Sequence, residues 1–374
     1  MCQIRMDLFS VLQINPPKPE LFIMVDCITG IQQAGIGVSN AEDAKHLYKS
    51  LFGMDVLIFD NQAAASLMTS YTGEQLHHRH AILSLNMAGG GGFEIWQYTS
   101  RVPQHPAILP ELGDLGIFAI KIKSGNVAAA HAHFILQPSV QVSPIHMAPD
   151  DRRHFWVTDP YGNHFNIVEG DEWFKSDKSL CGGVVGAVIG VRDMRKSLHF
   201  YKEVLGMKDV IYSGVAPMLD VPDDQKPGKS FHRVLLKKQV ANQGAFSKLL
   251  GAVQIELIEV KDRIPQKIYH DRFWGDCGFI HLCFDVLHMD LLKNHLALAG
   301  YPFSVDSADS FSMGSSAGRF CYVEDPDGTL IELVETHKVP IMKKFGWYLN
   351  LKKRKHDRPL PDWMIGLLGL NKIR

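Results

Sequence analysis

The stretch GIGVSNAEDAKHLYKSLFGMDV (Gly35 to Val56) returns later in the chain as VIGVRDMRKSLHFYKEVLGMKDV (Val188 to Val210). Tyr48 and Tyr201, Gly53 and Gly206, and Met54 and Met207 all stand 153 positions apart. A constant offset over that length marks a duplicated unit. Each copy reads as a strand, a polar cap (Asn40, Asp193), a helix with apolar residues at helical spacing, and a closing glycine. Leu47 and Leu51 form the buried stripe of the first helix, and Leu198, Tyr201 and Leu205 that of the second.

A second pair of signatures sits downstream. TDPYGNHFNIVE (Thr158 to Glu169) and EDPDGTLIELVE (Glu324 to Glu335) each place a tight DPxG turn before a strand. Between these landmarks each half holds another strand and helix, GIFAIKIKSGNVAAAHAHF after Gly116 and FIHLCFDVLHMDLLKNHLALAG after Phe279. The organisation expected is four strand-helix-strand-strand-strand modules, two per half. The boundaries read as an N-terminal extension over 1–27, a first domain over 28–171, a linker over 172–183, a second domain over 184–337 and a basic, aromatic tail over 338–374. The tail reads best as a helix packed back over a domain, with a surface-binding or oligomerising role as the alternative. Met24 is an alternative start.

The composition excludes several classes. The 374 residues are 46% hydrophobic and 21% charged with a formal net charge of −1, the profile of an ordinary globular chain with no polyanionic partner. The six cysteines lie without CxxC spacing, which argues against disulfides and a cysteine zinc site and for a reducing cytoplasm. No apolar run approaches the roughly 20 residues of a membrane span, and Pro16 and Pro17 interrupt the early apolar run, unlike a signal peptide.

The strand-helix opening with LGM, the DPDGxxIEL close and the paired modules resemble the vicinal oxygen chelate superfamily, which includes glyoxalase I, extradiol dioxygenases, methylmalonyl-CoA epimerase and bleomycin-resistance proteins. The resemblance spans roughly residues 28 to 337 and implies an α+β fold of four βαβββ modules in two tandem glyoxalase-like domains. It also implies metal ligands on the first and last strands of each module. Aligned on Val38 and Val191, the first half then offers Gln33, Glu94, Ile117 and Asn166, and the second Gly186, Glu256, His281 and Glu332. Neither set is complete. In glyoxalase I-like members the first module of one unit faces the second module of the other, and pairing across the halves gives Gln33, Glu94, His281 and Glu332 in one cavity. Gly186, Glu256, Ile117 and Asn166 fall in a degenerate mate.

The residues themselves bear on this set. Strand alternation puts Glu332 on the face of Leu330 and Val334, where an unpaired carboxylate is costly. His281 lies between Ile280 and Leu282; the competing reading is a satisfied core histidine. Glu94 and Gln33 compete with a solvent-facing reading, and a slip of one residue turns either to the other face. Two carboxylates and an imidazole suit Zn, Ni, Co or Mn and leave positions for two adjacent substrate oxygens.

By resemblance, the activity expected is that of a glyoxalase-like lyase or isomerase acting through a metal-bound enediolate on a small oxygenated substrate. Glu332 is the base, and Glu94 is a ligand that helps return the proton. Two alternatives stay open: a metal-free small-molecule-binding protein of the resistance type, and an extradiol-type dioxygenase, for which Gly186 removes the first histidine. The glutathione-gripping Arg of glyoxalase I is replaced here by Gly37, and its usual Asn by Tyr98. Arg79, Arg101, Arg152 and Arg153 are candidates to supply charge from loops, and Trp96, Tyr98 and Trp156 to line the cavity. The partner expected is a small-molecule substrate, with no nucleic acid and no membrane span, in a monomer or homodimer.

Three further motifs read blandly. His77, His78 and His80 are taken as a solvated or substrate-side segment, Gly89 to Gly92 as a flexible hairpin loop, and Asp325 and Asp327 as turn formers.

Overall fold

A computed structural model of the chain describes residues 26–373 except 176–178, 226–227, 309–310, 314–315, 343–345, 353 and 355–357. The N-terminal extension to residue 25, Met24 included, thus lies outside the described residues.

The first module comprises β1 (Ile28–Gly37), α1 (Ala41–Phe52), β2 (Val56–Ala64), β3 (His78–Leu85) and β4 (Gly92–Tyr98). The second comprises β5 (Gly116–Ser124), α2 (Val127–Ile135), the short β6 (Gln141–Val142) and β7 (His146–Met147), β8 (Arg153–Thr158) and β9 (His164–Glu169). In the third, β10 (Val184–Gly190) leads to α3 (Met194–Leu198), β11 (Asp209–Pro217), β12 (Ser230–Lys238), a turn of helix α4 (Ser247–Leu250) and β13 (Val253–Val260). The fourth runs through β14 (Gly278–Val286), α5 (Met289–Leu298), β15 (Val305–Asp306), β16 (Phe311–Met313), β17 (Ser316–Glu324) and β18 (Leu330–Met342). The tail follows with β19 (Trp347–Asn350) and α6 (Asp362–Gly366).

The repeated stretch folds as its residues dictate. The Asn40 side chain accepts from the N–H groups of Glu42 and Asp43, and that of Asp193 from Arg195 and Lys196, satisfying helix-end donors. The first helix closes at Gly53 with φ 66°, a left-handed conformation open to glycine. Tyr48 donates to Asp159 at 2.8 Å and Tyr201 to Asp325 at 2.9 Å, tying each helix to the DPxG turn of its own half. Asp325 also accepts from the N–H groups of Asp327 and Thr329, so it forms the turn as expected.

The halves exchange modules. One sheet runs β15-β17-β18-β14-β1-β4-β3-β2 and the other β11-β12-β13-β10-β5-β9-β8-β6, so each sheet joins one module from each half. The first and fourth modules meet where β1 pairs antiparallel with β14; the second and third meet at β5 and β10. One apolar core, with Phe52, Phe93, Phe134, Phe165, Phe200 and Phe284, lies under the helices, and each sheet carries a separate cluster on its other face.

One loop reading changes. Gly89 to Gly92 is buried rather than a flexible loop. Gly91 and Val184 exchange two backbone hydrogen bonds of 2.8 Å, and a Cβ at Gly90 would lie 2.7 Å from the Gly183 backbone. The glycines let the two connections cross at backbone contact. The tail does pack back: Leu351, Leu360, Ile365 and Leu368 are buried in the cluster on the first sheet, and the Ile373 N–H donates to the Asp55 carbonyl at 2.7 Å.

Candidate metal centre

Four adjacent strands at the centre of the first sheet carry Gln33 (β1), Glu94 (β4), His281 (β14) and Glu332 (β18). Gly35 pairs with both Glu94 and His281, and Cys283 with both Gln33 and Glu332, which puts all four side chains on one face at two successive levels. All are buried, His281 completely. His281 Nε2 lies 3.1 Å from Glu332 Oε2 and 3.3 Å from Glu94 Oε2, and Gln33 Nε2 donates to these oxygens at 3.3 and 3.1 Å. The cross-half pairing therefore brings together the four residues singled out in the sequence.

The strands make room for this. A Cβ at Gly35 would lie 2.5 Å from the His281 ring, so the imidazole occupies the space a side chain there would need. Tyr322 on β17 pairs with Glu332, and its hydroxyl sits 3.1 Å from His281 Nδ1. When Nδ1 carries the proton and donates to that oxygen, Nε2 presents its lone pair to the two carboxylates.

Burial shapes the protonation. It pushes Glu332 up to about 7; His281 pulls against the shift and the Glu94 charge adds to it. For His281 burial works downward, but Glu332 and Glu94 outweigh it and hold the ring above its ordinary value.

The donor set fits a divalent ion. Ligand atoms of Glu94, His281 and Glu332 all lie within 4.8 Å of one another. Two bonds of about 2.1 Å meeting at a right angle put their donor atoms about 3 Å apart, the spacing seen here. Two metal-donor atoms, His281 Nε2 and Gln33 Oε1, are buried without a well-formed hydrogen bond. Leaving such atoms unpaired is costly unless something else engages them.

A cavity of about 300 Å³ opens beside Glu94 and Glu332, walled by Trp96, Trp274, Phe320 and Tyr322 with Arg79 at its edge. Of the aromatic residues expected there, Trp96 lines it. Tyr98 stands behind, its hydroxyl donating to the Trp274 carbonyl, and Trp156 lies on the second sheet, its indole N–H donating to the Asp220 carbonyl at 2.8 Å. Of the four arginines only Arg79 lines this cavity, from strand β3 rather than a loop. Arg101 pairs with Asp276, Arg152 with Asp171 and Arg153 with Glu169. Gly37 cannot be replaced by a gripping arginine, because a Cβ there would meet the Asp276 carbonyl oxygen at 1.9 Å. His80 lies 2.7 Å from Asp60 near the surface.

The mate on the second sheet is built differently. Lys121 and Arg233 both pair with the buried Glu256, and Tyr212 donates to it at 2.5 Å. One equivalence in the sequence alignment shifts. Gly116 and Gly278 share φ of 127° and 125°, and Lys121 pairs with Asn166 as Cys283 pairs with Glu332, so the counterpart of His281 is Ala119 and not Ile117. Two apolar strands of similar composition concealed the two-residue slip. Gly186 stands level with Gln33, and a Cβ there would strike the Gln254 carbonyl oxygen at 2.0 Å.

Residues 183–333 match the family model of the Glyoxalase/Bleomycin resistance protein/Dioxygenase superfamily. The "putative dioxygenase" of Bacillus subtilis aligns over 82% of this chain and 85% of its own, with a TM-score of 0.52 at 14% identity. Over residues 183–333 the chain carries this superfamily's sequence pattern, and the likeness to the solved structure is one of fold. A glyoxalase I mutant from Zea mays aligns over 82% of this chain and 93% of its own, at TM-score 0.49 and 13% identity. No curated protein matches the sequence. Tyr322, Trp274 and Gly35 escaped the sequence reading. The alternation of Tyr322 with Phe320 on β17 was the available signal for the first; the others depend on cross-strand contacts. No helix among the described residues is long and apolar enough to cross a membrane.

Proposed function

We propose that the cavity on the first sheet is a divalent-metal site for proton transfer beside a carbonyl, as in a glyoxalase-like isomerase or lyase. The observation that carries the reading is the convergence of two carboxylates, an imidazole and an amide from all four central strands, with His281 Nε2 and Gln33 Oε1 buried without a well-formed hydrogen bond. Gln33, Glu94, His281 and Glu332 would hold the ion, which when bound supplies a Lewis acid for two neighbouring substrate oxygens. Zn, Ni, Co and Mn all suit this donor set.

Glu332 takes the proton from the carbon next to the carbonyl. Burial pushes its carboxylate up to about 7 in the metal-free protein, and a bound cation would lower that value. The proton held by Glu332 then passes from Glu332 to the neighbouring carbon, with Glu94 across the cluster helping its return. Tyr322 keeps His281 oriented, and the Trp96 and Trp274 rings exclude water. A two-histidine, one-carboxylate dioxygenase set needs a second imidazole, and His281 is the cluster's only histidine among the described residues.

The test is metal analysis of purified protein beside Gln33→Ala, Glu94→Gln, His281→Ala and Glu332→Gln variants. One equivalent of metal in the parent, lost or sharply reduced on changes from both halves of the chain, is expected. Undiminished metal in all four variants rules the site out, and hydrogen exchange at the substrate carbon, followed by NMR in deuterated water with 1,2-dicarbonyl and 2-oxo acid candidates, checks the chemistry.

A further inference from the structure

β11 (Asp209–Pro217) is the outermost strand of the second sheet, and among the described residues β12 is its one strand neighbour. Eight of its nine residues are exposed, Val210 to 45%, Ile211 to 41% and Val215 to 60%. The exception, Tyr212, donates its hydroxyl to Glu256. An open edge presents a row of backbone N–H and C=O groups to any extended chain, and folded proteins blunt it with lysine, inward charge or a covering segment. β11 has one charged residue, Asp209 at its first position, and no lysine.

The duplicate strand shows how the same edge is treated on the first sheet. β2 stands 153 positions earlier, at the end of its own sheet, and the two strands carry a bulge at the same place, between Leu57 and Phe59 in one and between Val210 and Tyr212 in the other. The bulge does not close the edge to pairing. The end of the tail lies antiparallel along the start of β2, Val56 against Lys372, with the Leu57 N–H donating to the Asn371 carbonyl at 2.8 Å. The chain has one C-terminal tail, and it lies on β2. Among the described residues nothing takes its place on β11.

β11 is also complementary to itself. Two copies laid antiparallel about a two-fold axis at Ser213 put Val210 opposite Ala216, Ile211 opposite Val215 and Tyr212 opposite Gly214. Asp209 falls opposite Pro217, so no like charges face each other. A stable dimer buries roughly 1,200–2,000 Å² in all, more than two strand edges supply. The groove of about 870 Å³ beside Asp209 adds apolar surface, for Leu291 and Leu298 on its wall are more than half exposed.

We propose that β11 is the docking edge for a second copy of this chain, which pairs with it antiparallel and continues the second sheet across a two-fold dimer. The metal centre lies on the first sheet and takes no part in the pairing.

Sedimentation of the full-length protein over a dilution series reads the state directly. A species of twice the chain mass is expected, and a monomer at every concentration overturns the interface. Ile211→Lys/Val215→Lys sets lysine opposite lysine at two symmetric contacts and should weaken the dimer about tenfold to a hundredfold. Ile211→Glu/Val215→Lys puts opposite charges at the same two contacts and should recover most of that loss. Equal weakening in both variants, or none in either, overturns the pairing about Ser213. Hydrogen exchange locates the contact: the amides of residues 209–217 should be protected in the parent dimer and freed in Ile211→Lys/Val215→Lys. Equal protection in the two means that another segment of the same chain covers the edge, which also overturns the proposal. Sedimentation of the parent needs no variant to fold.

Discussion

Glu94 and Glu256 occupy equivalent positions on two sheets of the same design, yet they are kept buried by opposite means. Beside Glu94, Gly35 leaves room for His281, Ala81 offers only a methyl group and Cys283 sits one level away. On the second sheet the corresponding residues are Val188, Ala119, Arg233 and Lys121. There the arginine and lysine neutralise Glu256 permanently and, against the penalty of burial, hold it well below the usual carboxylate range. On the first sheet carboxylates face each other across an imidazole, and Glu332 rises to about 7. One cluster tethers its own cations; the other gathers two carboxylates around an imidazole, the arrangement on which the metal reading rests.

The largest effect should appear on the tethered side. Arg233→Met leaves Glu256 and Asp220 without their guanidinium in a buried site, and breaking a buried pair from one side costs about 3–5 kcal/mol. Urea unfolding should show a loss in that range, with metal stoichiometry at the first cavity unchanged. A loss below about 1 kcal/mol, the scale of an exposed ion pair, would show that Lys121 and Tyr212 suffice and that the two cavities are less different than they look.

The next effect lies on the first sheet and separates positioning from bulk structure. Tyr322→Phe removes only the hydroxyl beside His281 Nδ1. Loss of such an outer partner should weaken metal binding about 10- to 100-fold. It should also release the imidazole to sample both tautomers, visible in the nitrogen-15 shifts of His281. Unchanged affinity and an unchanged tautomer would leave Tyr322 as packing against Trp274 and Phe320.

How far sequence could foresee this contrast follows from what each residue depends on. The duplicated helix, its caps and the DPxG turns are local, so the α+β repeat was legible. The grouping of Gln33 and Glu94 with His281 and Glu332 was legible too, because each half alone was deficient and the halves complemented each other. Strand alternation gives the face of a side chain but not its neighbour across the sheet. Nothing in KSFHRVLL around Arg233 says that its guanidinium ends on Glu256, and nothing in QQAGIG says that Gly35 is empty to admit a ring from β14. The misplacement of Ile117 for Ala119 has the same origin: in a strand buried on both faces, apolar residues carry no mark of register. Gly89 to Gly92 misled because glycines that permit close backbone contact look like glycines that permit motion.

The most diagnostic effect is the response to pH. With Glu332 pushed up to about 7 and His281 held above its ordinary value, an entering cation must displace protons that Glu256 would not carry at any ordinary pH. Each proton released makes the apparent affinity fall about tenfold per unit as pH drops below the pKa of that group. The slope should therefore steepen below about 7 and flatten above it, as Glu332 becomes ionised before the metal arrives. In Glu332→Gln one proton leaves the balance, so the remaining dependence should come from His281 and be shallower by about one decade per unit. Competition with a metal indicator between about pH 5.5 and 8 measures both slopes. A flat affinity across that window would mean that the carboxylates are already ionised in the metal-free protein. The first cavity would then resemble the second in holding fixed charges, and Glu332 would have no proton affinity suited to a base at neutral pH.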